Sequence, residues 1–237
     1  MLFATASVLA LAFTCYALIK ISSLYKNRQF IAKQSGKPLT DAQKKGLAYG
    51  GILFAMRGEN ILTFYPDRNI LLYPFGLKNQ WQITCPTEAK EAINELLERQ
   101  KSQEYDLSIQ HNALNTDLIW KSISRQIDIP VTELKDTTST YAWDLARAVS
   151  LSKWCYWCGY ISEEETWDFI SSASNQASEL GSNWRDYTIS FLLGRTIQGF
   201  DLDDVALIAK ALITGQASDK TNRIQDVDIY QRFDFKG

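Results

Sequence analysis

Residues 140–195 constrain this fold more than any other stretch, because they spell three consecutive helices with clear stops between them. On a 3.6-residue wheel, Trp143, Arg147, Leu151, Trp154 and Cys158 fall on one stripe of the first helix. Leu145, Ala148, Val149, Ser152, Cys155 and Tyr156 cover most of the remainder. A helix that is apolar nearly all round is surrounded by neighbours, and the small Ala148 and Ser152 admit another helix closely. Gly159 and Gly181 end the first two helices, as glycine does just past a helix C-terminus. Ser162 opens the second with Glu165 three residues on, a capping box, and Glu163 and Glu164 add negative charge where the helix dipole favours it. Ser182 opens the third, whose inward stripe includes Trp184, Phe191 and Arg195.

These residues carry a resemblance. The strings AWDLAR, GYISEEE and W..Y...FLLGR, with LTDAQKKGLAYGGIL and WQI...EAKEAINELLE upstream, resemble a bacterial family known as domain of unknown function 1266. The similarity spans residues 39–215. It implies a bacterial, mainly helical domain and carries no activity with it. The sequence departs from the family at its hydrophobic N-terminus, in residues 57–80 and in its C-terminal tail.

The N-terminus points to a membrane. Residues 1–19 carry no charge and are mostly apolar. As a helix they would extend about 28 Å, close to the thickness of a bilayer's hydrocarbon core. No basic n-region or small-x-small cleavage site marks a signal peptide. The expected organisation is a transmembrane anchor over 1–25, a basic juxtamembrane linker over 26–38, a helical domain over 39–215 and a tail over 216–237. Lys20, Lys26, Arg28, Lys33, Lys37, Lys44 and Lys45 all follow the apolar run. The positive-inside rule then puts the N-terminus outside and the domain in the cytoplasm, a single-pass arrangement in the bacterial inner membrane.

Elsewhere, Thr40 with Gln43 forms a second capping box and starts a helix that runs to about Met56. In residues 57–80, ILTFYP and NILLYP fit either a small β-hairpin or extended loop packed on helices. Cys85-Pro86 opens another helix, a polar region follows to Asn112, and Thr116–Ile127 is amphipathic. Asp201 caps a further helix that Gly215 ends, and DIYQRFDF in the tail reads as a strand or an ordered flap. The fold class is therefore mainly α, a compact multi-helix domain with the hairpin as one option, preceded by one N-terminal transmembrane helix.

A net charge of −2 gives no electrostatic footprint for nucleic acid, which is not expected as a partner. The lone His111 argues against His-based catalysis and multi-His metal sites. Cys155 and Cys158 sit near a helix C-terminus, not at the N-terminus where redox pairs have their thiols activated, and they read as small buried residues. No metal and no cofactor is expected. The tryptophans 143, 154, 157, 167 and 184 read as core packing rather than a ligand cage. Asp144 and Arg147, one turn apart on the buried helix, need partners, most directly each other. The candidate binding residues are Asp144, Arg147, Glu164, Trp184 and Arg195, and no residue is assigned as catalytic. The expected function is a membrane-anchored cytoplasmic protein-binding module without catalysis, of which an immunity protein masking a bacterial toxin is one version. The alternatives are an enzyme using a carboxylate–arginine pocket and a membrane-tethered envelope scaffold.

Overall fold

The computed structural model describes residues 38–66 and 70–236, together with residues 14, 16–18, 21 and 22. In chain order the helices are α1 (Asp41–Ala48), α2 (Gly51–Met56), a 3-10 turn (Ile70–Leu72), α3 (Tyr73–Trp81), α4 (Pro86–Leu97), α5 (Gln100–Gln110) and α6 (Thr116–Ile127). They continue as α7 (Val131–Leu134), α8 (Tyr141–Trp157), α9 (Glu163–Leu180), α10 (Trp184–Ile197), α11 (Asp203–Thr214) and α12 (Ile229–Arg232). No strand occurs among the described residues.

α8 is the hub. It packs against α2, α3, α4, α5, α9 and α10, and every one of its residues except Arg147 is buried. Close approach depends on small residues on the neighbours. A Cβ on Gly194 of α10 would stand 2.5 Å from Trp143 Cβ, and one on Gly50 would stand 2.8 Å from Val149 Cγ1. Gly50 also explains why the expected single helix from Thr40 to Met56 is two. The chain turns at Tyr49–Gly50, and α2 restarts packed against α8.

The local start signals hold where side-chain chemistry defines them. Both capping boxes form, Thr40 with Gln43 and Ser162 with Glu165. Glu165 also pairs with Lys90 of α4 at 2.5 Å. α10 is capped by Asn183, whose side chain accepts from Asp186 N, rather than opened by Ser182. Asp201 does not cap α11, which begins without a side-chain cap after Leu202.

Several expectations need correcting. The β-hairpin is absent from the described part of 57–80: a 3-10 turn and α3 fill its second half. Ile61 and Phe64 are driven into the core instead of pairing across a ladder. The region before Asn112 contains α5, a polar helix held by hydrogen bonds to the start of α8 as well as by Tyr105 and Ile109 against the core. Asp106 there accepts from the backbone N–H of Thr140 at 2.7 Å and from Ser139 Oγ at 2.5 Å. The tail segment DIYQRFDF is not a strand: it contains α12 and packs as an ordered segment onto the core. Tyr230 stacks on Trp184 with ring centroids 4.4 Å apart, Trp184 Nε1 donates to the Phe233 carbonyl at 2.6 Å, and Tyr49 OH donates to the Phe235 carbonyl at 2.8 Å.

The expected transmembrane helix and single-pass inner-membrane placement also find no support among the described residues. No helix among the described residues is long and apolar enough to cross a membrane. A span needs ~20 predominantly apolar residues. The 18-residue α9 opens with three glutamates, and the more apolar α8 has 17 residues and contains Asp144, Arg147 and Lys153. Most of the expected anchor over 1–25, and all of the linker over 26–38 except Pro38, lie outside the described residues.

Tight helix contact at Gly194 makes a prediction. Gly194→Ala puts a methyl group against Trp143 Cβ, with Thr140 Cβ 3.3 Å away, and is expected to destabilise the domain. Overpacking of this kind costs about 1–3 kcal/mol. Gly76→Ala, in α3 with nothing within 4 Å of the added carbon, is expected to stabilise it instead. The gain at such a helical site is about 0.5–1 kcal/mol. Urea denaturation midpoints of the two variants should move in opposite directions.

Candidate functional site

The exception in α8 leads to the site. Arg147 is turned outward, yet its guanidinium is held from three sides. Nε donates to the Trp143 carbonyl at 3.1 Å, Nη2 is ion-paired and hydrogen-bonded to Asp144 Oδ1, and Cζ lies 4.4 Å from the Trp143 ring centroid. Asp144 is 1% exposed, and its other oxygen accepts from both the backbone N–H and the hydroxyl of Ser102, each at 2.7 Å. Burial draws the Arg147 guanidinium below its ordinary range, against the opposing pull of Asp144.

Two more arginines reach the same space from other elements. Arg57, just past α2, lays its guanidinium 4.1 Å from the Trp154 ring centroid and donates from Nη2 to Gln80 Oε1 at 3.0 Å. Arg195, in the last turn of α10, lies 5.2 Å from the Phe200 ring centroid and donates from Nε to the Asp201 carbonyl at 2.7 Å. Burial lowers the Arg195 pKa too, against the nearby Asp201 carboxylate. Arg57, Arg147 and Arg195 line one cavity of about 640 Å³, with Trp81, Trp143, Trp154 and Phe200 as its aromatic walls. Among the described residues, its lining contains no aspartate, glutamate, histidine or cysteine. A cation over an aromatic face gains about 0.5–1 kcal/mol at an exposed site and more when water is removed. The stacked guanidiniums are thus fixed in place while keeping positive charge toward the cavity.

The carboxylates lie behind this wall. Glu59 and Lys153 form an ion pair, Nζ to Oε2 3.2 Å, with both side chains fully buried. Glu59 Oε1 accepts from Trp154 Nε1 at 2.8 Å and from Tyr73 OH at 2.7 Å. The lysine ammonium lies 3.8 Å from the Phe54 ring centroid. The pair holds the Trp154 ring whose face supports Arg57. Asp144 holds Arg147 in the same way, so two buried acids orient two cavity side chains.

Of the residues expected from the sequence, Arg147 and Arg195 meet in the cavity and Asp144 backs Arg147. Glu164 is exposed in the first turn of α9, outside the cavity. Trp184 is buried in the aromatic cluster that receives the tail. Arg195 pairs with Asp201 rather than with Asp144. Arg57, Glu59 and Lys153 were not singled out. Lys153 had a sequence signal, a charge in the middle of a helix apolar on every side. Arg57 had none, because only folding brings it to Trp154. No cluster of three or more potential metal ligands occurs among the described residues. Burial pushes the Cys158 thiol up to about 12 and Cys155 higher still, which disfavours the reactive thiolate form.

The buried pair is open to test. Lys153→Met removes the counter-cation of Glu59 in the core, and is expected to destabilise the protein by about 3–5 kcal/mol. Adding Glu59→Gln, which keeps an acceptor for Trp154 and Tyr73, should restore most of that loss in urea denaturation. A single variant as stable as the parent would mean that the ammonium contributes nothing to holding Glu59.

No curated protein and no solved structure matches the chain. A family model described as "Protein of unknown function (DUF1266)" matches residues 76–220. The match begins later than the expected 39–215. It takes in Trp81, Trp143, Arg147, Trp154, Arg195 and Phe200 and leaves Arg57 and Glu59 outside. Since that match covers more than half of the chain, the protein belongs to the DUF1266 family.

Proposed function

We propose that this protein is a protein-binding module without catalysis, whose arginine–tryptophan cavity receives an acidic group of its partner. The observation that carries this reading is the cavity lining: three guanidiniums over aromatic rings, with no carboxylate among the described lining residues. Asp144 offsets one of the three charges from behind, and Asp201, 3.8 Å from Arg195 and largely exposed, offsets another weakly. The described lining thus presents guanidiniums on a chain whose net charge is −2. Guanidinium is weakly hydrated and presents its donors in a planar fork that matches a carboxylate, so it suits recognition of an acid at a partly dry site.

The carboxylate–arginine enzyme is the less supported alternative. Asp144 uses both oxygens on Ser102 and Arg147, and the cavity lining supplies donors and ring faces but no general base.

Three of the lining residues are tryptophans, so occupancy can be read from intrinsic fluorescence. Glutarate, with ionic strength balanced by potassium chloride, should produce a saturable change. The double variant Arg57→Gln/Arg195→Gln should weaken that response at least tenfold. Arg147 is left in place because its removal would strand the buried Asp144. Putrescine, a dication of similar length, should give no response. An unchanged glutarate response in the double variant would refute the proposal.

A further inference from the structure

The arginine cavity continues past Arg147. A second lobe of about 270 Å³ shares Gln80, Trp81, Arg147 and Gln198 with it. In that shared wall, Gln80 Oε1 accepts from Arg57 and Gln198 Oε1 accepts from Trp143 Nε1 at 2.5 Å. An amide whose oxygen is engaged offers its NH2 group, so these two glutamines present donors. Gln100, in the second lobe, is the opposite case: its Nε2 donates to Glu98 at 2.9 Å, and its oxygen is left to accept. Gln80, Gln82, Gln100 and Gln198 are all exposed.

The lobes also differ in charge. The second is lined by Asp144, Glu95 and Lys101 as well as Arg147, and Lys101 is engaged by Glu104 at 2.8 Å. A ligand with negative charge along its whole length would meet Glu95 there, whereas Asp144 is buried and spent on Ser102 and Arg147.

A peptide main chain alternates carbonyl acceptors and N–H donors, the pattern that a row of glutamine amides can read. We infer that the two lobes form one groove for an extended segment of a partner protein. An aspartate or glutamate side chain enters the arginine lobe, and the adjoining main chain crosses Gln80 and Gln198 toward Gln100. The residue reaching the second lobe is neutral or basic. This rests on the acid-binding reading above and adds to it the polypeptide nature of the ligand and its charge pattern.

The test is a selection of random hexapeptides displayed on phage against the immobilised full chain. Selected sequences should carry one acidic residue flanked on one side by neutral or basic residues. The synthetic form of the best sequence, acetylated and amidated, should bind at least tenfold tighter than glutarate by tryptophan fluorescence. Replacing its acidic residue by the amide should weaken it at least tenfold, as should Arg57→Gln/Arg195→Gln in the protein. Replacing the backbone amide next to the acidic residue by an ester, a change on the ligand that cannot unfold the protein, should weaken it several-fold. A peptide no tighter than glutarate would overturn the groove and leave the acid-binding reading intact. Adenosine monophosphate binding more tightly than any selected peptide would overturn it in favour of a small-molecule site. Failure of glutarate and peptide alike would remove both readings.

Discussion

The charges of α8 have to be answered inside the protein, and the rest of the structure is arranged around those answers. An isolated ion moved from water into a protein interior costs several kcal/mol even after relaxation. Lys153 and Asp144 lie on a helix packed against six others and are almost completely buried. Lys153 is met by Glu59, from the turn after α2, and Glu59 in turn holds Tyr73 of α3. Asp144 is met by Ser102 of α5 and by its own neighbour Arg147. Glu59, Tyr73 and Ser102 come from three different segments. Satisfying two charges therefore ties the turn after α2, the start of α3 and the first turn of α5 to the hub, in places where apolar contact alone would leave their positions less defined.

The same arrangement separates charge across the wall of the cavity. The acids are used up beneath the surface, on Trp154, Tyr73, Lys153, Ser102 and Arg147, while the guanidiniums of Arg57, Arg147 and Arg195 emerge on aromatic supports. A local positive surface on a slightly acidic chain follows from this layering and not from composition. Rigid supports also mean that the donors are in place before a ligand arrives, which reduces the ordering that binding would otherwise require. The C-terminal segment completes an aromatic cluster elsewhere in the core. Trp184 and Tyr187 of α10 pack with Tyr49, Tyr230 and Phe235 in one aromatic cluster, so residues beyond the family match complete the core.

How much could be read in advance depended on the range of the interaction. The capping boxes at Thr40 and Ser162, the proline opening α4 and the glycine stops at Gly159 and Gly215 were legible because each is settled within one helical turn. The buried character of α8 was legible because its apolar residues leave no polar face. α5 was not, since its sequence is polar and its place is set by Ser102 and Asp106 bonding to residues near 140. The strand-like ILTFYP and NILLYP were misleading. Their β-prone side chains found a core and a 3-10 turn before they found a partner strand. The apolar N-terminal run suggested a membrane span by composition, and no described helix has the length and apolarity for one.

Spacing along a few turns is enough to give the helical class, the capped helix starts at Thr40 and Ser162, the central helix and the pairing of Asp144 with Arg147. Only the tertiary structure decided that Arg57, Arg147 and Arg195 share a cavity, that Glu59 lies under Trp154 opposite Lys153, and that Trp184 serves the core while Glu164 faces solvent. Arg57 and Glu59 are separated from Trp154 by more than ninety positions, as the hydrogen bond between Glu59 and Trp154 records. Contacts across that distance depend on how the helices pack together. No local pattern encodes that packing, because the burial of the whole set of apolar faces selects it at once.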